Sequence, residues 1–188
     1  MLEITLKYIP LSAQVAFLNI KQTEVLGVPL YLPIFYAHVL TSVFCLLAGF
    51  TQFNNNLLNT KPRIHRWMGK LYVGTILLFA APSGLFIGCF ANGGRISKIS
   101  FVLLAVLWFY FTLKAFTSIQ QRNIAAHQKF MYRSFALTCS AITLRLWKVI
   151  LVYLFQPSPM DVYQIIAWLG WIPNLLIIEF YLFKRFKI

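Results

Sequence analysis

Five apolar runs, most of them close to twenty residues long, constrain the fold more than any other feature of this sequence. A helix rises about 1.5 Å per residue, so about twenty residues cross the roughly 30 Å hydrocarbon core of a bilayer. The chain of 188 residues is 60% hydrophobic and 11% charged, which is more apolar than a soluble domain tolerates. The sequence therefore predicts an all-α fold, a polytopic membrane helix bundle of about five transmembrane helices. The predicted spans lie near residues 34–53, 67–90, 99–119, 134–155 and 163–183.

The first 28 residues differ from the rest of the chain. They alternate apolar and polar positions and are broken by Pro10, Gln14 and Asn19, so they are too interrupted to cross a membrane. We predict that residues 1–28 form an N-terminal interfacial segment and that residues 29–188 form a single transmembrane helical bundle. The sequence begins without the basic region and clean apolar stretch of a secretory signal, so we expect the first span to be retained.

The chain is strongly basic, with 17 Lys and Arg against 4 Asp and Glu and a net charge of +13. In a soluble protein this balance would suggest nucleic acid, but membrane topology explains it more simply, because cytoplasmic loops hold an excess of cations. One side of the predicted membrane carries eleven of them: Lys61, Arg63, Arg66, Lys70, Lys114, Arg122, Lys129, Arg133, Lys184, Arg185 and Lys187. The other side has six. We predict the N-terminus outside, the C-terminus in the cytoplasm, contact with membrane lipids and no nucleic acid.

A single guanidinium, Arg145, lies near the middle of the fourth predicted span. A charge at that depth is costly, so it is expected to face a bundle interior, a wet cavity or a bound anion. Helical spacing places six residues on its face: His127, Met131, Ser134, Thr138, Ala141 and Arg145. The predicted buried polar centre consists of Thr138 and Arg145 on this face and His38 of the first span. Arg145 is either locked by backbone carbonyls and hydroxyls or binds an anionic headgroup, a quinone oxygen or a substrate.

Two histidines, His65 and His127, stand at the cytoplasmic heads of the second and fourth spans, at one depth. Two neutral imidazoles from facing helices can ligate a b-type haem or a transition metal. Arg66, Lys70 and Arg133 are then the predicted partners of haem propionates or lipid headgroups. The alternative is structural, with the histidines capping helix starts, donating to loop carbonyls and anchoring the chain at the headgroup layer.

Other kinds of site find little support in the sequence. Cys45, Cys89 and Cys139 show no paired spacing and are expected to be packing residues. There is no Walker loop, nucleophile elbow, H-E-x-x-H pair or dinucleotide fingerprint, so we predict no catalytic residue of the soluble-enzyme type. With four acidic residues, the chain is poorly equipped for carboxylate-driven proton or cation transport.

Three motifs carry a family resemblance: HVL at 38–40, HRWMGKLY at 65–72, and HQKFMYRS at 127–134 followed by TLRL at 143–146. Over residues 36–147 the chain resembles the bacterial predicted membrane proteins of the domain of unknown function 2306 family. The resemblance implies a multi-pass protein of the bacterial cytoplasmic (inner) membrane. The HRW-x-G element also resembles the span-entry histidines of cytochrome b561-type proteins, which hold two haems with four histidines. This chain has three, which leaves at most one bis-histidine haem.

Three functional hypotheses remain open from the sequence. The most specific is electron transfer, or association with a quinone or haem, through one bis-histidine site. The second is a non-catalytic accessory or scaffold subunit that binds lipid or a partner membrane protein through its polar stripes. The third is a small-solute permease with a cavity reaching Arg145.

Overall fold

The structure is a computed structural model that describes residues 7–9, 11–156 and 158–186. Across these residues the chain forms helices and no strand. Five of the described helices are long and apolar enough to cross a membrane, by length and composition. We name them α1 (Tyr31–Gln52), α2 (Pro62–Cys89), α3 (Gly94–Gln120), α4 (Ile124–Phe155) and α5 (Met160–Phe186). The prediction of an all-α polytopic membrane fold is confirmed.

The helices begin earlier than the apolar runs do. We expected the second span near residue 67 and the fourth near residue 134, but α2 begins at Pro62 and α4 at Ile124. Proline suits the first helical turn, and the side chain of Asn123 accepts a hydrogen bond from the backbone N–H of Ala126 at 3.0 Å. Local capping chemistry therefore sets these starts, and hydrophobicity alone placed them too late.

Short elements complete the secondary structure. A 3-10 turn spans Ala16–Ile20 and a short helix spans Gln22–Gly27, both before α1. Another short helix, Asn55–Thr60, joins α1 to α2, and the Asn54 side chain caps it by accepting from the N–H of Leu57 at 3.0 Å.

Three of the long helices contain irregular turns. The middle of α2 is a π segment at Ile76–Ala80, which ends two residues before Pro82. Helix α4 consists of Ile124–Thr138 and Ser140–Phe155, separated at Cys139. Helix α5 is made of two segments, which end and begin at Leu169 and Ile172, so its interruption lies just before Pro173. Proline lacks the N–H that would continue the helical hydrogen bonds. This accounts for the irregular turns that precede Pro82 in α2 and Pro173 in α5.

The chain divides into two compact units. The N-terminal unit, residues 1–90, holds α1 and α2, and the C-terminal unit, residues 91–188, holds α3, α4 and α5. The single bundle expected over residues 29–188 stays a prediction.

The described part of residues 1–28 packs on α1 within the N-terminal unit. Tyr8 and Leu18 are buried in one apolar cluster with Tyr31 and Phe35. The hydroxyl of Tyr36 accepts from the backbone N–H of Ser12 at 2.9 Å and donates to its carbonyl at 2.7 Å. This segment is therefore anchored to α1 by aromatic packing and hydrogen bonds, and its position at a membrane interface stays a prediction.

A buried lysine ties the same segment to the end of α2. Lys21 is 1% exposed, and its ammonium group contacts the Glu24 carboxylate at 2.6 Å and the Phe90 carbonyl at 2.5 Å. Phe90 terminates α2, where carbonyl groups are left without helical partners and the helix dipole favours a cation. The two contacts offset the cost of burying this charge.

Candidate functional site

His38 occupies a notch on α2 in the N-terminal unit. Its Nδ1 lies 2.9 Å from the Ala80 carbonyl oxygen and 3.2 Å from the Ser83 hydroxyl oxygen. A carbonyl can only accept, so Nδ1 carries the proton in this contact. Glycine leaves room for the ring, because a Cβ at Gly84 would lie 3.0 Å from Cε1 of His38, tighter than most Cβ contacts. A small residue on α2 thus makes room for His38, a predicted member of the polar centre.

The backbone of α2 is distorted where it receives His38. Ala80 is the last residue of the π segment, and Ser83 donates to the Phe79 carbonyl at 2.5 Å. Single π turns inside α-helices displace carbonyl groups from the regular ladder and are frequent at functional sites. A histidine in a membrane-spanning helix here obtains its hydrogen-bond acceptor from an irregular backbone.

His65 lies in the first turns of α2, as the fourth residue of the segment Pro62–Thr75. It is half-buried, and its backbone carbonyl accepts from the Gln52 amide of α1 at 3.3 Å. Gly69 faces the same amide, where a Cβ would lie 2.8 Å from Gln52 Oε1. The cytoplasmic ends of α1 and α2, as predicted from charge, are therefore joined beside His65.

The two predicted cationic partners near His65 lie on the surface. Arg66 is exposed and its Nε donates to the Pro62 carbonyl on its own helix at 3.3 Å. Lys70, one turn further on, is also exposed. Both positions suit a headgroup or propionate contact, and that role stays a prediction.

His127 is the fourth residue of the segment Ile124–Thr138, the same position that His65 holds in α2. Its Nδ1 lies 2.8 Å from the Ala115 carbonyl oxygen of α3. Since that oxygen can only accept, Nδ1 bears the proton, and in the neutral ring Nε2 carries the lone pair. Histidines that ligate metals are commonly oriented by such a bond from the opposite ring nitrogen.

His65 and His127 belong to different units of the structure, so the shared bis-histidine site stays a prediction. Among the described residues, no group of three or more His, Cys, Asp or Glu side chains is arranged to hold a metal ion.

The predicted polar face of α4, which includes Arg145, is buried and hydrogen-bonded at its middle residues, Ser134 and Thr138, within the C-terminal unit. The indole of Trp108 donates to the Thr138 hydroxyl at 3.0 Å, and the hydroxyls of Thr112 and Ser134 are 2.7 Å apart. Both pairs join α3 to α4. Ser134 and Thr138 were expected to face inward, and they do, with 0% and 3% exposure.

Two further hydrogen-bond groups tie α5 to its neighbours. The Trp171 indole donates to the Ser100 hydroxyl at 2.9 Å, and that hydroxyl donates to the Ala167 carbonyl at 2.8 Å. The Asn174 amide donates to the Thr143 hydroxyl at 3.0 Å. The polar interior of this unit is thus built largely from side chains that satisfy one another.

Sequence reasoning missed the partners in these groups. Trp108, Trp171 and Asn174 were not among the predicted site residues. Periodicity finds the polar face of α4, but indoles and amides on other helices give no signal of their own. A tryptophan or asparagine lying on the polar stripe of its own span would have been the available clue.

Arg145 is half-buried and its guanidinium donates to the Ala141 carbonyl, one turn back on α4. A backbone carbonyl is one of the partners expected for a locked arginine. The hydroxyl of Thr143, two residues before Arg145, donates to the Gly170 carbonyl at 2.5 Å. Both predicted roles of Arg145, a structural lock and a binding site for an anion, quinone or substrate, stay predictions.

Arg133 forms the main charged contact between α4 and α5. Its Nε and Nη2 donate to the two carboxylate oxygens of Glu179, at 2.5 and 2.8 Å. The guanidinium also lies over the rings of Phe111 and Phe130, 5.9 and 5.6 Å from their centroids. A carboxylate of this chain therefore occupies the edge of Arg133 that a propionate or phosphate would use.

Long apolar helices with hydrogen-bonded polar residues inside each unit define a polytopic α-helical membrane protein. The chain belongs to the family described as predicted membrane protein (DUF2306), which matches residues 35–182. The comparisons with curated proteins and with solved structures gave no match. The likeness to cytochrome b561-type proteins gains no support from these comparisons. The match extends past the motifs at 38–40, 65–72 and 127–146 into α5.

Proposed function

We propose that this integral membrane protein is redox-associated and binds a haem or a quinone through His127. The observation that carries the proposal is the 2.8 Å contact between Nδ1 of His127 and the Ala115 carbonyl. It fixes the ring against α3 and assigns the proton to Nδ1, so that Nε2 can ligate an iron or accept a hydrogen bond from a reduced quinone. The sequence pairs His127 with His65 as the second ligand.

The absorption spectrum of the purified protein, together with metal analysis, tests the proposal. A bis-histidine haem gives a Soret band that His127→Gly removes and added imidazole restores, because free imidazole can replace the missing ligand. His65→Gly should behave in the same way if the two histidines share one iron. A quinone instead appears by extraction and chromatography, and its amount should fall in His127→Gly.

The control is Asn123→Ala, which removes the cap of α4 without removing an imidazole. It should leave any bound haem or quinone in place. A wild-type protein that carries neither, after expression with haem precursors and quinones present, would refute the proposal.

We also propose the bacterial cytoplasmic membrane as the location, with the N-terminus outside and the C-terminus inside. The excess of cations in the predicted cytoplasmic connections supports this orientation. A C-terminal green fluorescent protein fusion should fluoresce, and a C-terminal alkaline phosphatase fusion should be inactive. The reverse pair of results would invert the topology.

A second candidate, an accessory or scaffold subunit, is favoured by the interior of the C-terminal unit. Its buried hydroxyls and indoles bond to each other, as in the Trp108–Thr138 and Thr112–Ser134 contacts, which suits a structural role more than a solute path. Purification in a mild detergent at native expression should then yield a stoichiometric membrane partner. A monodisperse protein with no partner would exclude this role.

The permease hypothesis makes a different demand on the same residues, since a solute path would require water near Thr138 and Ala141. Cysteines at both positions, in a variant lacking the native cysteines, should resist polar maleimides. Ser158→Cys, which replaces an exposed residue, is the positive control. Labelling at Thr138 comparable to that at Ser158 would favour a permease over both other functions.

A further inference from the structure

Two arginines near the basic end of α5 in the C-terminal unit, Arg133 on α4 and Arg185 on α5, have different partners. Arg133 gives its Nε and Nη2 edge to Glu179 in a two-point contact. Arg185 is held differently, because its Nη1 donates to the hydroxyls of Tyr132 and Tyr181 at 2.7 and 2.5 Å. Its Nε and Nη2 edge makes no hydrogen bond to any residue that the structure describes.

The Arg185 guanidinium is held in place by its surroundings although it is exposed. Its Cζ lies 5.6 Å from the ring centroid of Tyr132, 5.7 Å from that of Tyr181 and 5.8 Å from that of Phe186. Ring contacts and two hydroxyl acceptors restrict a side chain that would otherwise lose much conformational freedom on binding a ligand. The open edge is therefore pre-organised.

The charge around this edge is positive. Lys129 lies over the Phe186 ring, 4.9 Å from its centroid, so it flanks the ring that Arg185 also contacts. Lys184 is exposed and lies over Phe180 at 4.4 Å. The acidic residue of α5 nearest in sequence to Arg185 is Glu179, and it is bound to Arg133. The site therefore matches an anion with oxygens spaced for an arginine fork.

The position along α5 indicates the kind of anion. Helix α5 has 27 residues, a length of about 40 Å at 1.5 Å per residue, against roughly 30 Å of hydrocarbon. Its last turns, with Lys184 and Arg185, therefore extend into the layer where lipid phosphates lie. Tyr181 and Phe183 next to them are exposed and suit contact with acyl chains and the interface.

We infer that the Arg185 cluster, formed by Lys129, Tyr132, Tyr181, Lys184 and Arg185, binds the phosphate of an anionic phospholipid. The guanidinium edge receives the phosphate oxygens in the two-point geometry that Glu179 shows at Arg133, and Lys129 and Lys184 add charge. Clusters of Lys and Arg at the cytoplasmic end of a membrane-spanning helix are suited to such headgroups. The site does not involve His127 and stands apart from the proposed redox function.

Native mass spectrometry of the full chain in detergent tests this assignment, with phosphatidylglycerol and phosphatidylcholine as probes. We expect phosphatidylglycerol to be retained and phosphatidylcholine to bind more weakly. Arg185→Gln should weaken phosphatidylglycerol binding about tenfold, because it removes a charge-assisted two-point contact. Equal binding of the two lipids by the wild type would overturn the inference.

The matched control is Arg95→Gln, which removes the same charge from an exposed residue in the first turn of α3. It should change affinity less than about twofold, because a lone surface charge contributes little. Arg185→Lys keeps the charge but loses the fork, and we expect an intermediate loss of about threefold. Equal losses in Arg185→Gln and Arg95→Gln, or no loss in Arg185→Lys, would contradict the two-point site.

A final arm separates a lipid from a free phosphate. Glycerol 3-phosphate at the concentration of the lipid should not displace phosphatidylglycerol, because it lacks the chains that contact the exposed face of α5. Displacement at equal concentration would assign the site to a soluble phosphate and overturn the lipid assignment. The circular dichroism spectrum of each variant verifies folding, and Arg185→Lys decides the matter if Arg185→Gln unfolds.

Discussion

The N-terminal and C-terminal units bury polar side chains in membrane-spanning helices by different means. In the N-terminal unit, His38 bonds to the Ala80 carbonyl at 2.9 Å, beside the π segment of α2. In the C-terminal unit, Trp108 and Thr138 bond to each other at 3.0 Å. In the N-terminal unit an irregular backbone supplies the hydrogen-bond acceptor, while in the C-terminal unit two side chains on neighbouring helices bond to each other.

The difference has an energetic consequence. The hydrogen bond from His38 to the backbone of α2 depends on close approach of the imidazole ring to that helix. Gly84 leaves room for the ring, because a Cβ there would lie 3.0 Å from it. The side-chain bonding of the C-terminal unit is spread over several modest contacts, each typically worth less than 1 kcal/mol inside a membrane protein. We therefore expect one substitution near His38 to destabilise the N-terminal unit strongly, whereas single substitutions of the bonded side chains in the C-terminal unit should each cost little stability.

Gly84→Val should produce the largest loss of stability. A β-branched side chain would collide with the His38 ring, and overpacking of this kind costs about 3 kcal/mol. The matched control is Gly74→Val on the same helix, where a Cβ would meet nothing within 4 Å. Unfolding in mixed detergent and sodium dodecyl sulfate measures both. A similar loss in both variants would show that the notch is not special.

Arg133→Glu should cost about 2 kcal/mol, because it places two carboxylates where a two-point ion pair stood. The cost falls below that of a fully buried pair because the Glu179 side chain is 43% exposed and water screens the charges. The double variant Arg133→Glu/Glu179→Arg should recover more than half of the loss. If the swap recovers nothing, the contact between α4 and α5 rests on packing alone.

The Trp108–Thr138 bond should show a small coupling energy. In a double-mutant cycle of Trp108→Phe and Thr138→Val, we expect about 0.6 kcal/mol, the usual value for such bonds within membranes. The same unfolding measurement gives all four corners of the cycle. A coupling above about 2 kcal/mol would mean that one contact dominates, which would remove the contrast between the units.

Ser83→Ala should have the smallest effect, below about 0.5 kcal/mol. The Ser83 hydroxyl lies 3.2 Å from Nδ1 of His38, but the Ala80 carbonyl is nearer, at 2.9 Å, and remains after the substitution. Wild-type protein measured in parallel is the control. A loss comparable to that of Gly84→Val would identify the hydroxyl, and not the backbone, as the acceptor on which His38 depends.

Much of the secondary structure was predictable, because bilayer thickness sets the length of an apolar helix. The starts of α2 and α4 were misplaced because Pro62 and Asn123 lie outside the apolar runs. The inward orientation of Ser134 and Thr138 was predictable from helical period. Their partners were not, since Trp108 and Thr112 lie on another helix whose rotation the sequence leaves open.

The candidate site shows the same division. His65 and His127 were found as residues that enter α2 and α4, and both are the fourth residue of their helical segment. Only the tertiary structure reveals the bond from His127 to the Ala115 carbonyl and the pairing of Arg133 with Glu179. Charge counting placed Arg133 among cations but could not identify its carboxylate partner on α5.

The sequence by itself determined that this protein lies in a membrane, how many helices span it and which stretches of those helices carry polar groups. These depend on the composition and period of single segments, which are local properties. The tertiary structure decided which side chain meets which, as in the His38 notch and the tyrosine contacts of Arg185. A hydrogen bond between helices depends on the rotation, depth and backbone shape of both, and no pattern within one helix fixes all three.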